Sequence, residues 1–137
     1  PKGTQTGTCG PKCSQTVGVA MPTKMYMTPI PSGNTEALKA AFAEMSGLRE
    51  GQCLANRAVM GVTREYVCLQ HTPQGDVLIV YLEGESIGAD DPGNWRDRMM
   101  DSDSEYARWI AATVNPLLAR VTGQKVPTAE VLADWCA

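Results

Sequence analysis

The stretch VCLQHTPQGDVLIVYLEGE, residues 67–85, contains two runs of β-forming residues on either side of a short turn. The first run ends an alternating segment, residues 64–71, and Pro73 and Gly75 are residue types that favour chain reversal. Residues 77–82 are almost continuously apolar, which is typical of a central strand buried on both faces. The stretch therefore predicts a β-hairpin at the centre of a sheet.

Side-chain alternation in residues 64–71 assigns the first strand two faces. One face is predicted to carry Tyr66, Cys68 and Gln70, and the other Val67, Leu69 and His71.

The segment before the hairpin predicts a strand and then two helices. Residues 23–30 alternate like a strand, and Asn34 is a good N-cap for the helix that follows. The apolar stripe of that helix recurs every three or four residues and consists of Leu38, Ala41, Phe42 and Met45. Ser46-Gly47 should interrupt the helix, and a second helix over residues 50–60 should end at Gly61.

After the hairpin the sequence predicts two helix starts and a closing strand. Asp91-Pro92 has the form of an N-cap followed by the first helical residue, and residues 102–105 form an S-x-x-E capping box. The second of these helices should kink at Asn115-Pro116 and end at Gly123. Residues 130–136, EVLADWC, alternate like a short strand.

The predicted order is strand, helix, strand, strand, helix, strand, which indicates an α+β domain. The expected topology is ferredoxin-like βαββαβ, with a four-stranded antiparallel sheet and helices on one face. Residues 1–20 lack any periodicity and are predicted to be a flexible N-terminal tail, so the domain covers residues 21–137. The bare face of such a sheet is expected to pair with a second copy, giving a homodimer.

Composition excludes several classes of function for these 137 residues. The net charge of −3 argues against a nucleic-acid partner, and no apolar run is long enough to cross a membrane, so a cytoplasmic location is expected. Cys9 and Cys13 are spaced one residue wider than C-x-x-C, and the chain has one histidine, so no metal site is predicted. The phosphate-binding, dinucleotide-binding and hydrolase motifs are absent, and no cofactor is expected.

The hairpin contains L-Q-x-T-P-x-G-D followed by an apolar strand that ends in Y-L-E-G, from Leu69 to Gly84, and the chain closes with ADWCA. These elements resemble small uncharacterised bacterial proteins related to the dimeric α/β-barrel superfamily, and the resemblance covers about residues 24–137. It implies a dimeric α/β-barrel fold. The wider superfamily includes cofactor-free monooxygenases acting on aromatic polyketides, haem-degrading enzymes, muconolactone isomerases and stress-response proteins, so the resemblance leaves the activity open.

His71 and Tyr66 are the candidate catalytic residues. The pKa of an ordinary histidine lies near neutrality, so His71 suits proton transfer in a pocket between sheet and helices. Its alternative role is that of a strand-end residue, hydrogen-bonded or exposed. Asp76 is expected to stabilise the turn through its side chain.

Tyrosines and tryptophans are the candidate substrate-binding residues. Tyr26, Tyr66 and Tyr81 lie on three predicted strands and are candidates to converge as hydrogen-bond donors, although strand tyrosines also fill cores and interfaces. Trp95 and Trp109 are candidates for the wall of an apolar pocket, with core packing as the alternative.

Two functions remain open at this point. The first is a homodimeric barrel that binds a small apolar, aromatic or quinone-like compound and acts as a cofactor-free monooxygenase or isomerase. The second is a ligand-binding or dimerisation module without chemistry. An open pocket reached by a polar group favours the first function, and a pocket filled by core side chains favours the second.

Overall fold

The computed structural model describes residues 21–85, Ile87, 103–119, Glu130, Leu132 and Ala133. In these residues the chain has an α+β fold with a three-stranded antiparallel sheet and three helical segments. The elements are β1 (Thr23–Pro29), α1 (Thr35–Ser46), α2 (Glu50–Val59), β2 (Arg64–Thr72), β3 (Gly75–Glu83) and α3 (Glu105–Trp109). Helix α3 continues as a π-helical turn, Ile110–Val114, and a 3-10 turn, Asn115–Leu117.

The predicted hairpin is confirmed, and its second strand is the centre of the sheet. The strand order is β1-β3-β2, and β3 runs antiparallel to both neighbours. Strands β1 and β2 are therefore parallel, and α1 and α2 connect them. Gly75 closes the hairpin turn with φ of 127°, a conformation that an L side chain rarely adopts.

The two faces of the sheet follow the predicted alternation. The inner face packs against the helices and carries the buried residues Tyr26, Thr28, Leu78, Val80 and Leu82. We call the opposite side the outer face. The strand register aligns six of its residues in two neighbouring rows across the sheet, Met25–Tyr81–Tyr66 and Met27–Ile79–Cys68.

The apolar stripe of α1 is confirmed, because Leu38, Ala41 and Met45 are buried and Phe42 packs against the same core. Asn34 is the N-cap, but its side chain donates to the Leu117 carbonyl oxygen at 3.3 Å instead of capping α1. This bond ties the start of α1 to the end of the last helical segment.

The junction between α2 and β2 also follows the sequence. Helix α2 stops at Val59, and Gly61 then adopts φ of 69°, the left-handed conformation typical of a glycine after a helix. Gly84, at the end of β3, packs directly against the backbone of Gly61 and Val62, where a Cβ atom would lie only 3.0 Å from Val62 Cα. The end of β3 and the end of α2 therefore contact each other through backbone atoms, with no side chain between them.

Two predictions for the third helix were wrong. The N-cap is Ser104, whose Oγ accepts from Ala107 N at 3.1 Å, so the helix begins at Glu105 rather than at a box headed by Ser102. It ends at Leu117 rather than at Gly123. Pro116 lacks a backbone N–H and cannot donate a helical hydrogen bond. The backbone becomes extended at Leu118, so the helical segment ends at Leu117.

Several predicted elements fall outside the described residues. These are the N-terminal tail and the helix start at Asp91-Pro92. Of the predicted closing strand, the structure describes only Glu130, Leu132 and Ala133, and these three residues are not in a strand.

Candidate ligand-binding cleft

A cleft of about 660 Å³ lies between edge strand β2 and the two helices α1 and α2. Its walls are mainly apolar, since Leu38, Phe42 and Met45 come from α1, Leu54 and Ala58 from α2, and Val67 and Leu69 from β2.

Residue spacing explains why these side chains share one space. On α1 and α2 the lining residues recur three or four positions apart, which places them on one face of each helix. On β2, Glu65, Val67 and Leu69 are alternate residues and therefore share the inner face. His71 is the next residue in that row, just beyond the cleft lining.

One end of the cleft is polar and contains an ion pair. Arg57 Nε donates to Glu65 Oε2, and the two side chains are only 14% and 18% exposed. Arg57 Nη1 donates to Oδ1 of the buried Asn56 at 3.2 Å. Burial acts to lower the pKa of Arg57, but the Glu65 charge and smaller contributions outweigh it and raise that pKa above its ordinary value.

Cys53 and Tyr106 complete this polar end. Cys53 is a free, partly buried thiol that lines the cleft one helical turn before Arg57. Tyr106 is not among the lining residues but is close enough to Cys53 and Arg57 for both to act on its pKa. It is 3% exposed, and within the described residues its hydroxyl has no hydrogen-bond partner. Burial raises the pKa of Tyr106, and the nearby Cys53 thiol raises it further, so the phenol keeps its proton. We call Cys53, Arg57, Glu65 and Tyr106 the polar end.

The opposite end of the cleft meets the hairpin turn through Thr35. Thr35 lines the cleft and its Oγ1 donates to Asp76 Oδ2 at 2.6 Å. The other carboxylate oxygen, Asp76 Oδ1, lies 2.7 Å from His71 Nδ1. The hydrogen bond from Thr35 and the one with His71 lower the pKa of Asp76. The His71 side chain is 68% exposed and is not among the residues that line the cleft.

The three candidate tyrosines do not converge on one point. Tyr26 is buried on the inner face of β1, whereas Tyr66 and Tyr81 lie opposite each other on the outer face. Tyr81 donates its hydroxyl to Glu83 Oε1 at 2.6 Å, and Tyr66 is 58% exposed. These tyrosines are not among the residues that line the cleft.

Trp109 packs beside the polar end without lining the cleft. Its ring stacks on Tyr106 with 6.0 Å between centroids, and the Arg49 guanidinium lies 4.7 Å from the Trp109 ring centre. Its role in this part of the chain is therefore to support Tyr106. Trp95 lies outside the described residues.

Sequence reasoning missed the polar end. The signals that point to it are a cysteine and an arginine four residues apart on α2, and Glu65 on the same face of β2 as the apolar Val67 and Leu69. A charged residue on an inner strand face needs a partner, and Arg57 supplies it. Tyr106 carries no such signal, because a phenol in an apolar helix stripe also fits ordinary core packing.

Comparisons with known proteins leave the family of the chain open. No family model matches the sequence, and no curated protein sequence gives a significant match. Among the described residues, His, Cys, Asp and Glu side chains do not gather in a group that could hold a metal ion. The helices described here are too short or too polar to cross a bilayer.

Proposed function

We propose that the cleft binds a compact, largely apolar organic molecule, and that the chain is a small-molecule-binding protein of the dimeric α/β-barrel kind. The cleft itself carries this proposal. Its volume of about 660 Å³ falls in the range of small-molecule sites, which are mostly apolar with a few placed polar groups. Leu38, Phe42 and Val67 supply the apolar walls, and Arg57 and Glu65 supply the polar contacts.

A fourth strand beside β1 is part of the proposal. Among the described strands, β1 is hydrogen-bonded to β3, so a fourth strand would lie along the opposite edge of β1. After the last helical turn the chain returns to this edge, because Ala119 N donates to the Pro29 carbonyl oxygen at 3.1 Å. A strand continuing from there would complete the ferredoxin-like βαββαβ arrangement.

A homodimer through the outer face is the second structural part. Met25 and Met27 are 39% and 62% exposed there, and Tyr81 and Ile79 lie directly beside them on β3. Apolar sheet faces of this kind are commonly covered by a partner, and a symmetric dimer is the commonest assembly.

Cofactor-free monooxygenation or isomerisation is the chemistry we propose for the cleft, with His71 transferring a proton. Asp76 holds Nδ1 of the ring, which leaves Nε2 to face a substrate at the Thr35 end. His71 and Glu65 are about 20 Å apart along β2 at roughly 3.3 Å per residue. A substrate for His71 must therefore lie near Leu69. Loss of turnover of a phenolic or quinone-like compound in His71→Ala supports this role, and unchanged turnover removes it.

Binding is tested with one substitution at two positions of α2. Ala58 lines the cleft, whereas Ala55 is exposed on the same helix and does not. Tetralin, a compact fused-ring hydrocarbon, should raise the melting temperature of the wild type and of Ala55→Phe, but not of Ala58→Phe, whose new ring occupies the cleft. Equal binding by both variants, or no binding by the wild type, contradicts the proposal.

The alternative function is binding without chemistry. The exposure of His71 and its distance from the polar end favour it for any ligand held by Arg57. A ligand that binds the wild type and is recovered unchanged after long incubation supports this second function.

A further inference from the structure

Two hydrogen-bond donors at the polar end lack an acceptor within the described residues. Arg57 bonds Glu65 through Nε and Asn56 through Nη1, and neither bond uses Nη2. The Tyr106 hydroxyl is fully buried and unpartnered. Buried polar groups are nearly always paired, so the unpartnered Tyr106 hydroxyl indicates a missing acceptor. Arg57 lines the cleft and its charge acts on Tyr106, so its Nη2 is a second donor for the same acceptor.

The charges at the polar end determine whether the missing acceptor is neutral or anionic. Glu65 already neutralises Arg57, so an anionic ligand group would leave an uncompensated negative charge in a largely buried site. Burial keeps Tyr106 protonated, and its hydroxyl therefore offers a proton rather than a charge. A neutral oxygen acceptor meets both conditions.

We propose that the cleft ligand carries a neutral carbonyl oxygen, which accepts hydrogen bonds from the Tyr106 hydroxyl and from Arg57 Nη2. This inference rests on the proposed function and makes Tyr106 a specificity-determining residue for it. Because the hydroxyl is buried, the oxygen reaches it when the neighbouring Cys53 side chain, which lines the cleft, turns aside. The ligand class is an apolar ring compound with a ketone or similar group.

The test compares tetralin with 1-tetralone, which has the same ring skeleton and one added ketone. Affinities of both compounds are measured by isothermal titration for the wild type and for Tyr106→Phe. One hydrogen bond to a neutral oxygen corresponds to about a 3- to 10-fold change in affinity. The ratio of 1-tetralone affinity to tetralin affinity should fall by about that factor in Tyr106→Phe, while the affinity for tetralin stays the same.

If the ratio of 1-tetralone affinity to tetralin affinity is unchanged in Tyr106→Phe, the inference is wrong. The proposed function still stands in that case, provided that the wild type binds tetralin. Failure of both compounds to bind removes the proposed function as well. Tetralin-1-carboxylate serves as the charged probe, and tighter binding of this anion than of the ketone overturns the neutral-acceptor assignment.

Cys53→Ala provides a second variant, and it is independent of any folding defect in Tyr106→Phe. Removing the thiol should preserve or increase the preference for 1-tetralone, because the path to the hydroxyl becomes wider. A decrease in that preference overturns the inference. Tyr106→Phe itself should melt at the wild-type temperature without ligand, because its hydroxyl has no partner to lose; a large drop reveals a structural hydrogen bond instead.

Discussion

His71 Nδ1 lies 2.7 Å from Asp76 Oδ1, and this contact joins the last residues of β2 to the first residues of β3. The second oxygen of the same carboxylate accepts from Thr35 at the start of α1. Asp76 therefore links the hairpin to the helix, which is a longer-range role than stabilising the turn alone.

The pKa of Asp76 should lie below its ordinary value near 3.8, which carbon-detected NMR titration of the carboxyl group can measure. The Thr35 hydrogen bond is the largest cause, and His71 acts through both a hydrogen bond and its charge, so Thr35→Val and His71→Ala should each raise that pKa. Because the folded-state pKa is depressed, the stabilisation is present above the unfolded-state value. It is lost as the pH falls through the folded-state value.

Asp76→Asn is the control for this pH dependence. The variant lacks the titrating carboxylate, so its stability relative to the wild type should be lowest at neutral pH and should converge with the wild type in acid. A constant difference at all pH values contradicts the linkage.

Removing one partner of the Arg57–Glu65 ion pair should lower the free energy of unfolding strongly. Both side chains are mostly buried, so Glu65→Leu leaves the Arg57 charge without compensation. We expect a loss of about 3 kcal/mol in the free energy of unfolding, the lower end of the range for buried pairs, since some exposure remains. Urea denaturation measures it.

The matched control is the double variant Arg57→Met, Glu65→Leu. Replacing both charges with apolar groups of similar size removes the unpaired charge, so most of the lost stability should return. A double variant whose loss equals the sum of the losses of Glu65→Leu and Arg57→Met alone shows that the two side chains act independently.

Local sequence signals were sufficient to predict the hairpin and its flanking helices. Alternation in β2, proline and glycine in the turn and the apolar stripe of α1 all act over a few residues, and each agrees with the packed structure. The third helix was predicted less well. The sequence predicted Ser102 as the N-cap, whereas Ser104 caps the helix through a hydrogen bond from Ala107 N and Glu105 is its first residue.

The cleft was harder to predict because it depends on the distance between the helices and β2 in the folded protein, and no single element determines that distance. Residues on α1, α2 and β2 line it, and their separation is not encoded in local spacing. The three strand tyrosines illustrate the limit. Alternation already assigns Tyr26 and Tyr66 to strand faces, but which face meets the helices follows only from the register of β1 and β2 on β3.

Gly84 should be among the least replaceable positions of the chain. A Cβ atom there would collide with the Gly61 carbonyl group and lie 3.0 Å from Val62 Cα, and backbone atoms cannot turn aside as side chains do. We expect Gly84→Ala to cost more than about 2 kcal/mol in the free energy of unfolding, as overpacking does.

Gly51→Ala is the control, because a Cβ atom at this position of α2 meets nothing within 4 Å. Alanine favours a helix over glycine, so this variant should be as stable as the wild type or more stable, by up to about 1 kcal/mol. Equal thermal denaturation of the two glycine variants contradicts the close packing at Gly84.

The outer face should determine whether the chain associates with a second copy. Met27 on β1 is 62% exposed on that face, directly beside Ile79 of the central strand, so Met27→Glu places a charge where two sheets would meet. A buried charge without a partner strongly opposes association. By sedimentation equilibrium we expect a dimer for the wild type and a monomer for Met27→Glu. Leu48→Glu, at a 95% exposed position between α1 and α2, should remain a dimer. A monomeric wild type, or a Met27→Glu variant that still dimerises, rules out association through this face.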